Sequence, residues 1–110
     1  MSLNFESYEE GSKLIFKLDG MLDMFTFKDF EIELKQKLEP HIFNVGISMK
    51  SCKNIDSSGM GSIIRLINDF KRRNISLFIL DPPTNVRGLL KISQIEKYIP
   101  IATLEDFLST

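Results

Sequence analysis

The segment best suited to chemistry is Asp56–Gly61, which reads Asp-Ser-Ser-Gly-Met-Gly. Apolar residues at positions 60, 63, 64, 67 and 70 follow at helical spacing and predict a helix from about Ser58 to Arg73 with one buried stripe. Asp56, Ser57 and Ser58 then lie at the helix N-terminus. Short oxygen-bearing side chains are favoured there because they accept hydrogen bonds from N–H groups that lack a helical partner. Helix capping alone is the simpler interpretation of these residues.

The same position also suits a regulated negative charge. A helix N-terminus carries partial positive charge and free N–H groups, so a phosphate on a serine there would be stabilised. Gly59 and Gly61 are poor helix formers, at about 1 kcal/mol each relative to Ala. Two of them in the first turn indicate that another segment approaches the backbone closely, or that the turn has an unusual shape. The segment is therefore a candidate switch.

The hexapeptide resembles the Asp-Ser-Ser/Thr-Gly-Leu-Gly signature of the STAS domain, in particular of the bacterial anti-sigma factor antagonists. Leu18–Asp23 resembles the turn that follows the second strand of this family, and Ile75–Leu80 resembles the strand that follows its central helix. Val86, Leu89 and Leu90 resemble apolar positions of the next short helix. The resemblance covers nearly the whole chain and is most specific at residues 56–61.

The resemblance implies a serine phospho-switch rather than an enzyme. It places the phosphorylated serine at Ser57. The unphosphorylated form would bind an anti-sigma factor with serine kinase activity, phosphorylation would release it, and a serine phosphatase would restore binding. The remaining residues of the implied partner-binding loop are Asp23, Asp56, Ser58, Gly59, Met60 and Gly61. No catalytic residue, metal ligand or cofactor is expected.

Three positions depart from the family pattern. Ser48 stands where an aspartate or asparagine is usual, and Asn54 stands where an apolar or aromatic residue is common. Met60 replaces the usual leucine, a change of similar volume. These departures concern the identity of the partner more than the fold.

Length and composition indicate one ordinary globular domain spanning residues 1–110. The chain is 43% hydrophobic and 26% charged, with a net charge of −1, so it lacks the clustered basic face of a nucleic-acid-binding protein. No apolar run approaches the roughly 20 residues that span a bilayer, and the first residues do not show the basic-then-apolar pattern of a leader. We therefore expect a cytoplasmic protein without direct nucleic-acid or membrane partners.

Alternating strand and helix patterns predict an α/β fold with a mixed sheet. Residues 3–9 and Lys13–Asp19 indicate a hairpin, although Ile15 breaks the alternation and suggests burial on both faces. A capping box at Thr26–Asp29 would start a helix that Pro40 ends. Phe43, Val45 and Ile47 mark a strand that ends near Met49, before a polar loop of residues 50–53.

Further along the chain, Ile75–Leu80 is nearly continuous in apolar residues, as in a central strand. Thr84 or Asn85 would cap a short helix through about Lys91. Residues 99–102 form a last short strand, and Thr103 caps a C-terminal helix. Together with the STAS resemblance, this predicts about four to five strands with helices packed mainly on one face.

Other chemistries find little support. His41 and Cys52 are the only histidine and cysteine, so a metal site that used them would lack partners. Residues 56–59 lack the Gly-x-Ser-x-Gly elbow of serine hydrolases. One alternative of a different class stays open: a STAS scaffold or a small-ligand or nucleotide sensor in which Ser57 is never modified. An exposed face around residues 23–26 and 54–61 favours a protein partner, and a deep pocket favours a ligand.

Overall fold

A five-stranded mixed sheet forms the centre of the molecule, in a computed structural model that describes residues 3–110. The strands lie in the order β1-β2-β3-β4-β5; β1 and β2 are antiparallel, and the other neighbours are parallel. The strands are β1 (Leu3–Glu10), β2 (Lys13–Leu22), β3 (Asn44–Ile55), β4 (Ser76–Leu80) and β5 (Ile101–Ala102).

Four α-helices complete the domain: α1 (Phe27–Gln36), α2 (Ser57–Arg72), α3 (Thr84–Ile92) and α4 (Leu104–Leu108), with a 3₁₀ turn at Ile95–Lys97. The apolar stripes of α1, α2 and α3 pack on one face of the sheet and form the main core. The predicted α/β fold, with helices mainly on one face of a mixed sheet, is confirmed. Among the helices of residues 3–110, none is long and apolar enough to cross a membrane.

The opposite face of the sheet carries a smaller apolar cluster under α4. Phe107 packs there against Ile15 and Leu80, and all three side chains are buried. Ile15 therefore breaks the alternation of β2 because it belongs to this second cluster, as the sequence predicts. Gly46 makes room for the cluster, since a Cβ there would lie 2.6 Å from Leu80 Cδ1.

Lys13 fixes the end of α4 to the sheet. Its Nζ donates to the carbonyl oxygens of Phe107, Leu108 and Thr110 at 2.8, 3.1 and 2.7 Å. The last carbonyls of a helix have no helical donor, and a cation complements the negative end of the helix dipole. This lysine holds α4 over the cluster that Phe107 fills.

Two predicted boundaries in the sheet are wrong. The predicted polar loop of residues 50–53 lies within β3, which continues to Ile55, and Asp19, expected at a turn, lies within β2. The reason is that β2 also continues, to Leu22, and pairs with the second half of β3 through two irregularities in register. That half of β3 has one exposed face, so its polar residues resemble a loop in the sequence.

The helix caps are only partly as predicted. Thr26 makes no capping hydrogen bond, so the predicted capping box at Thr26–Asp29 is wrong. The N-cap of α3 is Pro83 without a side-chain bond, rather than Thr84 or Asn85; Asn85 Nδ2 instead donates to the carbonyl of Lys53 at 2.8 Å. The cap at Thr103 is confirmed, because its Oγ1 accepts from Asp106 N at 3.0 Å.

The cluster under α4 leads to a prediction for stability. Phe107→Ala should lower the free energy of unfolding by about 3–5 kcal/mol, because it removes a fully buried ring and leaves a cavity. Urea denaturation followed by circular dichroism would measure the loss. Phe25→Ala is the matched control: its ring is exposed, and the same change there should alter stability by only about 0.5 kcal/mol. Equal losses in the two variants would contradict the role assigned to the cluster.

Candidate functional site

The Asp56 carboxylate joins two segments of the chain. Asp56 is the N-cap of α2, and its Oδ1 accepts from Gly59 N at 2.9 Å. Its Oδ2 accepts from Met24 N at 3.0 Å, in the loop between β2 and α1. One side chain therefore caps the central helix and holds the neighbouring loop against it. The predicted cap is confirmed, and it is Asp56 rather than either serine.

The surroundings of Gly59 explain why the first turn of α2 contains a glycine. A Cβ at this position would overlap the carbonyl oxygen of Leu22 and lie 2.8 Å from Ile55 Cγ1. The N-terminus of α2 thus lies directly against the end of β2. Gly61 is different, because the nearest atom to a Cβ there would be Arg65 Nη1 at 3.4 Å. The predicted close approach to the backbone occurs at Gly59, and Gly61 has space around it.

The loop after β2 is held in shape by its own hydrogen bonds. Thr26 Oγ1 accepts from Asp23 N at 2.9 Å and donates to the carbonyl of Met21 at 2.8 Å. Asp23 Oδ1 accepts from Phe25 N at 2.9 Å. Asp23 is only 5% exposed. The structure therefore brings Asp23 close to Asp56, as expected, but as a residue that shapes the loop from inside.

Ser57 is the first residue of α2, and its side chain is exposed to solvent. Ser58, Met60 and Gly61 are half-buried, and Gly59 is buried. The helix N-terminus gives the Ser57 hydroxyl a partly positive environment. Of the six residues from 56 to 61, Ser57 is the one that solvent or another protein reaches most freely.

Large apolar side chains are exposed on α2 and on the two segments that contact its first turn. Phe25 is 70% exposed and Ile92 is 81% exposed, and Met24 and Ile64 are also exposed. The bond from Met24 N to Asp56 places the first loop on one side of α2. A contact of 3.6 Å between Ser93 Oγ and Met60 Sδ places the end of α3 beside the first turn of α2 as well. We call Met24, Phe25, Ser57, Ile64 and Ile92 the switch face.

An ion pair between α1 and α2 supports the switch face. Arg65 Nη2 and Nε contact the two oxygens of Glu31 at 2.9 and 3.2 Å, and the guanidinium lies 5.4 Å from the centre of the Phe27 ring. Burial raises the pKa of the Glu31 carboxyl, but hydrogen bonds and charge from Arg65 outweigh it, so the pKa lies below its ordinary value. The pair joins the middle of α1 to α2, and the guanidinium also contacts Phe27 at the start of α1.

The other candidate residues lie away from Ser57. His41 pairs with Glu9 at 2.6 Å, before the start of β3, whereas Ser57 follows the end of the same strand. Cys52 is buried in the core, and burial raises the pKa of its thiol. Within residues 3–110, no three histidine, cysteine or acidic side chains converge to hold a metal ion.

Two cavities of about 380 and 410 Å³ lie outside the switch face. The first lies on the open face of the sheet beside Lys17 and Ser48, and the second lies beside Lys71 and Tyr98. Neither is lined by residues 23–26 or 54–61. The exposed Ser57, Met24 and Phe25 give this surface the partly apolar character of a protein-docking face.

Sequence reasoning missed several residues of this surface. Ile64 is 44% exposed, although the sequence predicts it in the buried stripe of α2, and no role is predicted for Ile92. Met24 contributes through its backbone N–H, which its residue type does not indicate. A usable signal was present in Met24 and Phe25, two large apolar residues in a turn between polar neighbours. Isolated exposed apolar residues are ordinary, so this signal becomes informative only with the exposure of Ile64 and Ile92 in the structure.

A model of the STAS domain matches residues 4–107, so the chain belongs to the STAS domain family. No curated protein matches it in sequence. A candidate anti-sigma factor antagonist from Thermotoga maritima superimposes with a TM-score of 0.88 at 13% identity, covering 96% of this chain and 92% of the other.

SpoIIAA, an anti-sigma factor antagonist, is similar in two solved forms. The unphosphorylated form gives a TM-score of 0.78 at 17% identity, with 97% of this chain and 93% of the other covered. The phosphorylated form, from Bacillus, gives 0.71 at 16% identity, with coverage of 98% and 97%. At these identities the likeness concerns the fold, and it confirms the predicted resemblance to the antagonists.

The two glycines of α2 should respond oppositely to substitution. Gly59→Ala should destabilise the protein by about 1–3 kcal/mol, because the added methyl group overlaps the Leu22 carbonyl. Gly61→Ala, the matched control, should leave stability unchanged or raise it by up to about 1 kcal/mol through helix propensity. Thermal and urea unfolding would measure both, and a stable Gly59→Ala variant would show that the contact is not tight.

The Glu31–Arg65 pair should make a pH-dependent contribution to stability. Because the pKa of folded Glu31 is lowered, the contribution is present above the unfolded pKa and is lost as pH falls through the folded pKa. Arg65→Gln should therefore lower the unfolding free energy at pH 7, by up to about 1 kcal/mol for a partly exposed pair, and much less at pH 3. An equal loss of unfolding free energy at pH 7 and pH 3, measured by urea unfolding, would contradict this role of the ion pair. Arg72→Gln, on the exposed part of α2, is the control.

Proposed function

We propose that this chain is an anti-sigma factor antagonist that works as a serine phospho-switch. The unphosphorylated switch face binds an anti-sigma factor that is also the serine kinase, and the kinase modifies Ser57. A serine phosphatase reverses the modification. The observation that carries the proposal is the placement of an exposed serine at a capped helix N-terminus, with exposed apolar side chains on α2 and on the segments that contact its first turn. The fold shared with SpoIIAA, which is solved in both phosphorylation states, supports it.

The physical basis of the switch is charge placed on an apolar docking face. Phosphorylation adds close to two negative charges at neutral pH, and burying them against a partner costs free energy unless cations meet them. The first-turn N–H groups and the helix dipole stabilise the phosphate within the free protein. Both effects favour the dissociated, phosphorylated state. The rigid loop network around Asp23 and Thr26 means that no large rearrangement of the face is required.

The role of the chain in this scheme is binding rather than catalysis. The kinase supplies the chemistry of phosphoryl transfer, and this chain supplies the acceptor hydroxyl. Its own histidine lies before β3, at the other end of the strand from Ser57, so Ser57 has no histidine base beside it. Asp56 is occupied by two backbone N–H groups, which suits a structural cap.

Intact mass and peptide mapping of the protein from its native host, with phosphatases inhibited, test the modification. We expect one phosphate on Ser57 and none in the Ser57→Ala variant. The Ser58→Ala variant is the control, because the neighbouring serine is half-buried and should leave the phosphate in place. Absence of phosphate during growth and several stresses would favour a scaffold or ligand-sensing role, for which thermal stabilisation by nucleotides is the next test.

Variants of Ser57 should separate binding from modification. Ser57→Asp should weaken binding of the partner captured with Ser57→Ala bait by at least about tenfold, since it places a charge on the docking face. Ser57→Ala should keep full affinity. Isothermal titration calorimetry would compare the two. Phe25→Ser should weaken the same interaction with unchanged thermal stability, whereas Ile32→Ser, at another exposed apolar site, on α1, should not. Partner affinity that is insensitive to Ser57→Asp would count against the mechanism.

A further inference from the structure

The sheet is incomplete at its β4 edge, away from the switch face. β5 contains two residues and pairs only with Ile79 and Leu80. The first three residues of β4, Ser76–Phe78, therefore extend beyond the end of β5. An uncovered strand edge presents backbone donors and acceptors that another chain can use.

Leu77 carries the free backbone groups on this edge. Ser76 N–H donates to Phe43 O on the β3 side at 2.9 Å, while Ile79 N–H donates to Pro100 O on the β5 side at 3.0 Å. Because successive residues of a strand alternate, the N–H and C=O of Leu77 point to the β5 side. If the pairing of β4 with β5 continued to Leu77, the N–H of residue 100 would donate to Leu77 O, but Pro100 has no N–H. Within residues 3–110, Leu77 makes no β5-side backbone hydrogen bond.

A groove of about 410 Å³ lies along this edge. Ile67, Ile75 and Phe78 contribute apolar surface, and Lys71, Lys97 and Tyr98 line it as well. Tyr98 is 73% exposed. No acidic residue lines the groove, and in the described part of the chain neither lysine has an ion-pair partner. The groove therefore combines free strand hydrogen-bonding groups, apolar surface and unpaired positive charge.

We propose that this groove binds an extended acidic segment of a partner protein, which adds to the sheet as a short strand beside β4. The backbone of the segment pairs with Leu77, its acidic side chains face Lys71 and Lys97, and an apolar side chain packs beside Tyr98. Strand addition to an open edge is an established mode of peptide recognition, in which backbone bonds give affinity and side-chain contacts give specificity. Lys71 lies 14 residues after Ser57 on α2, about 21 Å along the helix, so this site is separate from the switch face.

The dimensions of the edge favour a flexible segment over a second copy of this chain. Three free residues of β4 extend for roughly 10 Å before β5 and the preceding 3₁₀ turn block the edge. The other edge of the sheet, β1, is acidic, but it is eight residues long and belongs to a folded sheet. A segment of about three to four residues fits the open edge, and a complete strand of a second domain would meet β5.

Fluorescence anisotropy tests the proposal with a labelled peptide of sequence Asp-Val-Glu-Ile-Asp-Val-Glu. A peptide in which lysine replaces every acidic residue is the control ligand. We expect the acidic peptide to bind at least tenfold more tightly than the basic one. The double variant Lys71→Glu/Lys97→Glu should weaken its binding at least tenfold. Lys28→Glu/Lys35→Glu makes the same change in net charge on α1, away from the groove, and should alter binding less than twofold.

Nuclear magnetic resonance locates the bound peptide. The amide of Leu77 should move downfield and exchange more slowly with solvent, while amides of β1 stay unchanged. Ser57→Asp should leave the affinity for the peptide within twofold of that of the wild type, so this test is separate from that of the phospho-switch. No binding at about 1 mM peptide, equal effects of the two double variants, or protection at β1 would overturn the proposal. Dimerisation that depends on Lys71 and Lys97 would also overturn it, because the occupant would then be a second copy.

Discussion

The candidate site depends on one carboxylate that satisfies backbone groups from two segments distant in sequence. Asp56 accepts from Gly59 N in α2 and from Met24 N in the loop after β2. A neutral side chain of similar size could satisfy one of them, but an ionised carboxylate accepts both bonds with the strength of a charged acceptor. Both N–H groups lack a partner in regular secondary structure, for different reasons. One belongs to the first turn of a helix, and the other belongs to a loop that no strand continues. Asp56 therefore fixes the helix start and the loop in the same geometry.

The sheet places these segments beside each other. β2 and β3 are parallel and neighbouring, so their C-terminal ends meet at one edge, where the loop to α1 and the start of α2 both begin. Leu22 closes the arrangement: its carbonyl accepts from Asp56 N at 3.2 Å and occupies the space that a side chain at position 59 would need. Asp56 and Gly59 are thus two parts of one constraint. The charge holds the segments together, and the missing side chain lets them approach. Ser57, between them, is directed into solvent.

The sequence is informative where one residue type has one physical explanation. Asp56 at a helix start, glycine where backbone must approach, and Ile15 at an odd position in a strand were all interpretable, and their roles follow from local rules. Sequence reasoning fails where a polar side chain can form hydrogen bonds in several kinds of structure. Thr26 resembles a helix cap, but its hydroxyl bonds within the preceding loop. Residues 50–53 resemble a loop because one face of β3 is open to solvent. The switch face could be predicted only in part: Ser57 follows from the motif, but Phe25 and Ile92 belong to separate segments that only tertiary packing places beside α2.

The switch face and the groove beside β4 lie at opposite ends of α2, and this separation limits how one site can affect the other. The switch face is formed by the N-terminal turn of α2, and the β4 groove lies beside its C-terminal turn. The buried side of the helix between them packs into the core through Ile63, Leu66 and Phe70. A close-packed helix of this kind transmits a shift only if it has a second stable position, and close packing disfavours one. A charge added at Ser57 would act on the groove through its field, which salt screens within about 10 Å, whereas Lys71 lies about 21 Å along the helix. The arrangement suits a protein that holds one partner through the groove while phosphorylation controls another at the switch face.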